Sequence, residues 1–197
     1  MNLSRTTAVV CAVAAVTAPA AWAGKFLSAE EVRTANGTYR SEAPEPWYGG
    51  YGTREFVFAD GRWELTFAHA LDPAMTERTF VFRTGGAYEI VGSSSTVEGA
   101  LDGTFHEEWK HVTLRTDVPE IIAGMGMADC GLTPNLETDI SDTGCATWRP
   151  VSVCGEDHDL IALTETGVQF GVRPEDNDLC TPDKRPTALL PVVALFR

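Results

Sequence analysis

Basic residues are scarce in this chain, which has 15 Lys and Arg against 28 Asp and Glu and a formal net charge of −13. Such a negative field repels nucleic acids and anionic membrane surfaces. The shortage of positive charge therefore excludes polyanions as partners.

Sequence motifs for catalysis and metal binding are also missing. The chain has no nucleophile elbow, no glycine-rich phosphate loop, no zinc-binding helix motif and no C-x-x-C pair. "GEDHDL" (155–160) collects Glu156, Asp157, His158 and Asp159, but a solvated loop is the ordinary interpretation of such a run. We expect no enzyme, no metal and no cofactor; a metal or enzymatic site at Glu156–Asp159 is the alternative.

The first 23 residues have the pattern of a secretory signal peptide. Arg5 precedes an apolar Ala/Val run that ends in Ala21-Trp22-Ala23, a small-x-small cleavage site. A membrane anchor is the alternative, but the run is barely long enough and contains Pro19. We expect a signal peptide at 1–23, a single domain at 24–197, no stable membrane span, and a secreted or periplasmic location.

Cysteine usage agrees with export. Of five Cys, Cys11 lies in the signal, and Cys130, Cys145, Cys154 and Cys180 remain. An even number in an exported chain favours two disulfides with three possible connectivities. Proximity in sequence favours Cys130–Cys145 and Cys154–Cys180.

Short Val-, Phe-, Thr- and Tyr-rich runs from Gly37 to about Arg115 predict β-strands. Turns are expected at Asp60-Gly61, Gly85-Gly86 and Asp102-Gly103, with "PEPWYGGYG" (44–52) as an irregular loop. One short helix is expected after Asp117 as its cap, with Pro119 in its first turn, and "TALLPVVALFR" is expected to form a final strand. The fold class is mainly β: an antiparallel meander closing into a lipocalin-like barrel or half-barrel.

"TREFVFADGRWELTF" (53–67) predicts a hairpin register, because Asp60-Gly61 suits a type I′ turn. The turn pairs Phe58 with Trp63, Phe56 with Leu65, and Arg54 with Phe67. Since side chains alternate along a strand, one face collects most of the large apolar residues. The next strand is expected to add Phe80, Phe82 and Arg78 to that face.

This face has two interpretations. It is either solid core, for which each buried aromatic contributes about 1.5–3 kcal/mol, or the wall of a ligand pocket. Arg54 and Arg78 on this face favour a pocket, because an unpaired buried Arg is costly and a cation at the mouth would meet a head group or carboxylate of the ligand. Alternatively, these arginines reach the sheet edge or pair with Glu89. The candidate ligand-binding residues are Phe56, Phe58, Trp63, Leu65, Phe67, Phe80, Phe82, Arg54 and Arg78.

The order of short motifs resembles the domain of the adenomatosis polyposis coli down-regulated protein 1 family, membrane-tethered Wnt inhibitors of animals. The resemblance covers nearly the whole mature chain and is carried by "TREFVF" (53–58), "DP" (72–73), "TFVF" (79–82), "GGAY" (85–88), "GTF" (103–105), "KHVTL" (110–114), "ADCGL" (128–132), "DTGC" (142–145), "FGVRPEDND" (170–178) and "DKRPTALLP" (183–191).

The resemblance implies a β-barrel with a lipid-accepting cavity, and it supports pairing Cys130 with Cys145. The chain departs from the family at Met75, where the family usually has Cys. We also expect one domain and no anchor, unlike the animal proteins. A bacterial, single-domain member is expected, for which Wnt is not a native partner. The expected function is an exported binding protein for a hydrophobic small molecule or a lipidated partner; a cell-envelope structural or interaction module with a solid core is the alternative.

Overall fold

The mainly β architecture is confirmed by the computed structural model, which describes residues 25–197. The predicted signal peptide lies outside these residues. A short 3-10 helix covers Pro182–Lys184. The other elements are α1 (Ala29–Arg33), β1 (Gly37–Ser41), β2 (Glu45–Trp47), β3 (Gly50–Ala59), β4 (Arg62–Ala70), β5 (Arg78–Ser93), β6 (Leu101–His106), β7 (Trp109–Leu114), α2 (Pro119–Gly124), β8 (Glu137–Asp139), β9 (Glu156–Leu163), β10 (Gly167–Phe170) and β11 (Ala194–Phe196).

Eight antiparallel strands close into a barrel in the order β3-β1-β11-β10-β9-β6-β5-β4 and back to β3. The expected meander describes only β3 to β6. The other half joins the first and last strands of the described chain, because β1 pairs with both β3 and β11. Strands β2, β7 and β8 extend the sheet beyond the closed ring.

The hairpin predicted at Asp60-Gly61 is confirmed. Both turn residues have positive φ, 53° and 72°, as a type I′ turn requires. The predicted pairs Phe58–Trp63, Phe56–Leu65 and Arg54–Phe67 all form. Phe56, Phe58, Trp63 and Phe67 therefore point into the barrel.

Two predicted turns are wrong. Gly85-Gly86 lies inside the 16-residue strand β5, and Asp102-Gly103 lies inside β6. Gly85 and Gly86 do not have positive φ. They are needed because an added Cβ would lie 2.6 Å from the Trp63 carbonyl oxygen at Gly85 and 2.3 Å from the His106 carbonyl oxygen at Gly86. The turn between β5 and β6 falls instead at 94–100.

Two further segments differ from expectation. The predicted loop at 44–52 forms a hairpin of β2 and β3, in which Tyr48 and Gly49 take positive φ. The expected helix forms as α2 with Pro119 at its start, but Val118, not Asp117, is its N-cap. The other α-helix, α1, was not expected. It begins with a capping box between Ser28 and Glu31, a spacing that is readable in the sequence.

The barrel interior contains two apolar clusters. At one end Tyr39, Phe58 and Tyr88 pack with Val32 of α1, whose main-chain oxygen accepts a 2.6 Å hydrogen bond from the Tyr88 hydroxyl. At the other end Phe80, Phe82, Val112 and Leu114 pack under the segments that carry Ile140 and Trp148. Helix α1 therefore lies against the interior at one end, and chain excursions cover the other.

Both favoured disulfides are confirmed: Cys130–Cys145 and Cys154–Cys180, with Cα–Cα distances of 5.4 and 5.2 Å. All four cysteines lie outside the strands and tie down the segments around the covered end. Within residues 25–197, no helix has the length and apolar character needed to cross a membrane.

Candidate functional site

A cavity lies in the barrel between the two apolar clusters. Its cavity volume is about 70 Å³, and the atom-free space is about 720 Å³ when the open mouth is counted. One water molecule needs roughly 10–15 Å³ of cavity volume, so the interior has room for several. The barrel core is therefore not completely filled by its own side chains.

Four aromatic rings from different strands form the inner wall. Phe56 stacks on Phe170 with ring centroids 4.4 Å apart, while Phe105 contacts Phe170 at 5.4 Å and Trp63 at 5.2 Å. The Trp63 indole N–H donates to the His106 carbonyl at 3.1 Å, which satisfies its polar atom. The inner wall presents apolar surface with specific aromatic packing.

Five further rings belong to the covered end: Trp47, Tyr48, Phe67, Phe82 and Trp148. Phe82 and Trp148 stack at 4.4 Å and are nearly parallel. Tyr48 is the most exposed lining residue, at 48%, because the tight β2–β3 turn carries it out of the sheet. It marks the cavity mouth.

Six of the nine predicted ligand-binding residues line this cavity: Arg54, Phe56, Trp63, Leu65, Phe67 and Phe82. Phe58 instead packs in the closed end between Tyr39 and Tyr88, and Phe80 packs against His69 and Trp148. These two rings face the interior but are core residues outside the lining.

Arg78 is not where alternation predicts it. The register of β4 and β5 shifts between His69–Phe80 and Ala70–Arg78, so Thr79 is an extra residue in β5. This bulge reverses the alternation: Thr79 is buried against His69, and Arg78 becomes exposed and donates to the Met75 carbonyl at 3.2 Å. Arg78 lies outside the cavity.

Arg54 lies in the wall as predicted, but its charge is already paired. Its Nε and Nη2 donate to the two carboxylate oxygens of Glu45 at 2.8 and 3.1 Å, and both side chains are 6% exposed. The guanidinium also lies over the rings of Trp47 and Phe56. The alternative of pairing with Glu89 does not apply to Arg54; its partner Glu45 lies in the segment that was predicted to be an irregular loop.

Two of the acidic residues of the cavity come from a segment that was predicted to be a solvated loop. "EDHDLIAL" forms β9, in which Asp157 and Asp159 share the inward face with Ile161 and Leu163 and are 4% and 3% exposed. Asp157 forms an ion pair with Arg173, which also donates to Asn177 at 2.9 Å. Period-two spacing from the apolar end of the strand is the signal that finds these acids.

Glu107 adds a third lining carboxylate, at the break between β6 and β7. It lies 2.7 Å from the Lys110 ammonium, which also donates to the carbonyls of Arg149 and Cys154 at 2.9 and 2.7 Å. Burial raises the pKa of Glu107 to about 7, with a contribution from Asp157, while Lys110 opposes the rise. Nothing in the local sequence distinguishes Glu107 from its exposed neighbour Glu108.

Asp159 differs from the other acids because it has no ion-pair partner within residues 25–197. Its Oδ1 accepts the backbone N–H groups of Leu160 and Gly171 at 2.7 and 2.9 Å. Burial raises the pKa of its carboxyl to about 6; Arg173 and these two hydrogen bonds oppose the rise, and Asp157 adds to it. The cavity thus combines an aromatic wall with one buried acid that lacks a counter-ion.

Across the described part of the chain, no group of three or more His, Cys, Asp or Glu is arranged to hold a metal ion. Comparison with protein-family models and with curated proteins finds no match. The candidate site is therefore interpreted from its own geometry.

Proposed function

We propose that this protein is a non-enzymatic binding protein that holds a small molecule with an apolar body in its barrel cavity. The observation that carries the proposal is the open space among nine aromatic rings, in a type of interior that side chains ordinarily fill to close packing. The volume suits a short apolar body, with any longer chain passing out at Tyr48.

Export and family membership are part of the same proposal. Two disulfides and the signal-like N-terminal sequence support a secreted or periplasmic location. The barrel, its cavity and the Cys130–Cys145 bond support membership of the adenomatosis polyposis coli down-regulated protein 1 family and the lipid-accepting role that this membership implies. A structural module with a solid core is less well supported, because the core has a cavity.

The test uses N-phenyl-1-naphthylamine, an uncharged apolar dye whose fluorescence rises in dry sites. We expect binding to the oxidised protein, and a loss of affinity of about tenfold or more in Leu65→Trp, because the larger ring fills the cavity from the middle of β4. Val91→Trp is the control: Val91 is 66% exposed and lies outside the cavity.

Absence of dye binding at micromolar concentrations of folded protein would overturn the proposal. Equal loss in both Trp variants would also count against it, since the dye would then report surface hydrophobicity. Thermal unfolding of each variant establishes that the fold is intact.

A further inference from the structure

We infer that the ligand of the cavity carries a positively charged amine on its apolar body, and that the Asp159 carboxylate holds this amine. The inference rests on the proposed function and adds the chemical class of the ligand. It reverses the sequence-based expectation that an arginine meets an anionic head group.

The charges of the barrel interior around the cavity do not balance. Above the raised pKa of Glu107, as at about pH 7.5, three ion pairs neutralise themselves there: Arg54–Glu45, Arg173–Asp157 and Lys110–Glu107. Asp159 remains as the surplus charge. An isolated buried carboxylate is costly unless it gains a counter-ion or a proton, so the site is short of one positive charge.

The geometry of Asp159 suits a hydrogen-bond donor on the ligand. The residue is 3% exposed and lines the cavity. Its Oδ1 is fixed by two backbone N–H groups, whereas no residue among 25–197 donates a hydrogen bond to Oδ2. Arg185 approaches from outside the barrel but donates to the backbone carbonyls of Asp159 and Gly103, not to the carboxylate. The free oxygen suits a donor that arrives with the ligand.

An anionic or a neutral ligand fits this cavity less well than an amine. A ligand carboxylate would meet Asp159, Asp157 and Glu107 in the same cavity, while the charge of Arg54 is already neutralised by Glu45, to which its Nε and Nη2 donate. A neutral ligand would leave Asp159 without a counter-ion. An ammonium is attracted both by the carboxylate and by the faces of the surrounding rings, and the chain's net charge of −13 favours its approach.

The raised pKa of Asp159 gives the inference a pH signature. The groups that act on it are Arg173, from the segment after β10, and Asp157 on its own strand; Glu107 titrates in the same cavity. Below about pH 6 Asp159 is protonated and cannot pair with a cation. Amine affinity should therefore rise as pH increases through this value, and alcohol affinity should change much less.

The experiment compares octylamine, octanol and octanoate by isothermal titration calorimetry with the oxidised protein. At about pH 7.5 the amine should bind roughly tenfold more tightly than the alcohol, the size expected for one charge-assisted hydrogen bond, and octanoate should be the weakest. Asp159→Asn should reduce the amine-to-alcohol ratio to about two. Asp60→Asn, which removes the same charge from an exposed turn, should leave the ratio unchanged.

The outcomes separate the two proposals. Octanol or octanoate binding as tightly as octylamine would overturn the amine inference and leave the apolar cavity function standing. Failure of all three ligands, together with the dye, would overturn both. If Asp159→Asn does not fold, the wild-type titration decides: a constant amine-to-alcohol ratio between about pH 5 and pH 8 contradicts a role for the carboxylate.

Discussion

Arg54 and Glu45 form a buried ion pair whose polar atoms are almost fully used. Besides its two bonds to the guanidinium, the Glu45 carboxylate accepts the Ser41 hydroxyl at 2.7 Å and the Trp47 indole N–H at 2.9 Å. These contacts tie β2 to β3 and hold Trp47 at the cavity. The pair therefore serves the shape of the site, and its guanidinium carries no surplus charge for an anionic ligand.

Removal of one partner of this pair should be strongly destabilising. We expect Glu45→Ala to lower the free energy of unfolding by about 3–5 kcal/mol, because it leaves a buried guanidinium without a counter-ion. Urea unfolding followed by tryptophan fluorescence measures the change.

The double variant Arg54→Met/Glu45→Met provides the contrast. It removes both charges and should recover most of the loss, since an apolar replacement of a buried pair is often neutral. Glu55→Ala, which removes one partner of the exposed Arg40–Glu55 pair, should cost less than about 1 kcal/mol. A double variant as unstable as Glu45→Ala would contradict this account.

Alternation along the strands predicted individual residues well where the pairing is regular. It placed Phe56, Trp63, Leu65 and Phe67 correctly, because Asp60-Gly61 fixes the register within a few residues. It failed at Arg78, because the bulge at Thr79 shifts the register there, and Thr79 contacts His69 on the neighbouring strand. Alternation also did not identify Glu45, because its role depends on its contact with Arg54 on another strand.

Strand β5 connects the two ends of the barrel and changes one of its neighbours along its length. Phe80–Gly85 pair with β7, and Tyr88–Ser93 pair with β6. Gly85 and Gly86 lie at this change, where carbonyl oxygens of adjacent chain segments approach too closely for a side chain. The strand thus depends on close backbone packing at its centre.

Gly86→Ala should destabilise the protein by about 1–3 kcal/mol, because its Cβ would lie 2.3 Å from the His106 carbonyl oxygen and the backbone must shift. Gly92→Ala in the same strand is the matched control. No atom lies within 4 Å of its added Cβ, so its unfolding free energy should be unchanged or slightly higher.

Thermal unfolding of the two variants distinguishes the explanations. Equal destabilisation would indicate that the close approach of the His106 carbonyl oxygen does not determine the cost. The glycines also explain why the element boundaries were mispredicted: Gly-Gly is typical both of a turn and of close backbone contact. Local sequence does not separate these uses, because the contacting carbonyls of Trp63 and His106 come from other strands.

The molecule consists of a closed barrel and of covering segments that depend on disulfides. The barrel class was predictable, since it follows from many short strands with local turn signals. The closure was not: it pairs β1 with β11 and β6 with β9, across long sequence separations. Cysteine count and proximity predicted both bonds, whereas the acids of β9 became part of the site only once the barrel brought β9 beside β6.

Because the disulfides lie in the covering segments, we predict that their loss affects the cavity before the barrel. Each bond closes a loop, of 15 or 26 residues, that should contribute roughly 3 kcal/mol. Cys154–Cys180 holds the segment with Arg173 and Asn177, and Cys130–Cys145 holds the turn that places Trp148 on Phe82. Since none of the four disulfide cysteines lies in a strand, the Cys→Ala variant of both pairs should keep its far-ultraviolet β-sheet signal at low temperature while dye affinity falls about tenfold or more. Circular dichroism and dye titration on the same samples measure both quantities, with the oxidised protein as control.

Unchanged dye affinity would show that the covering segments do not shape the site. Loss of the sheet signal together with binding would show that the barrel is not independently stable.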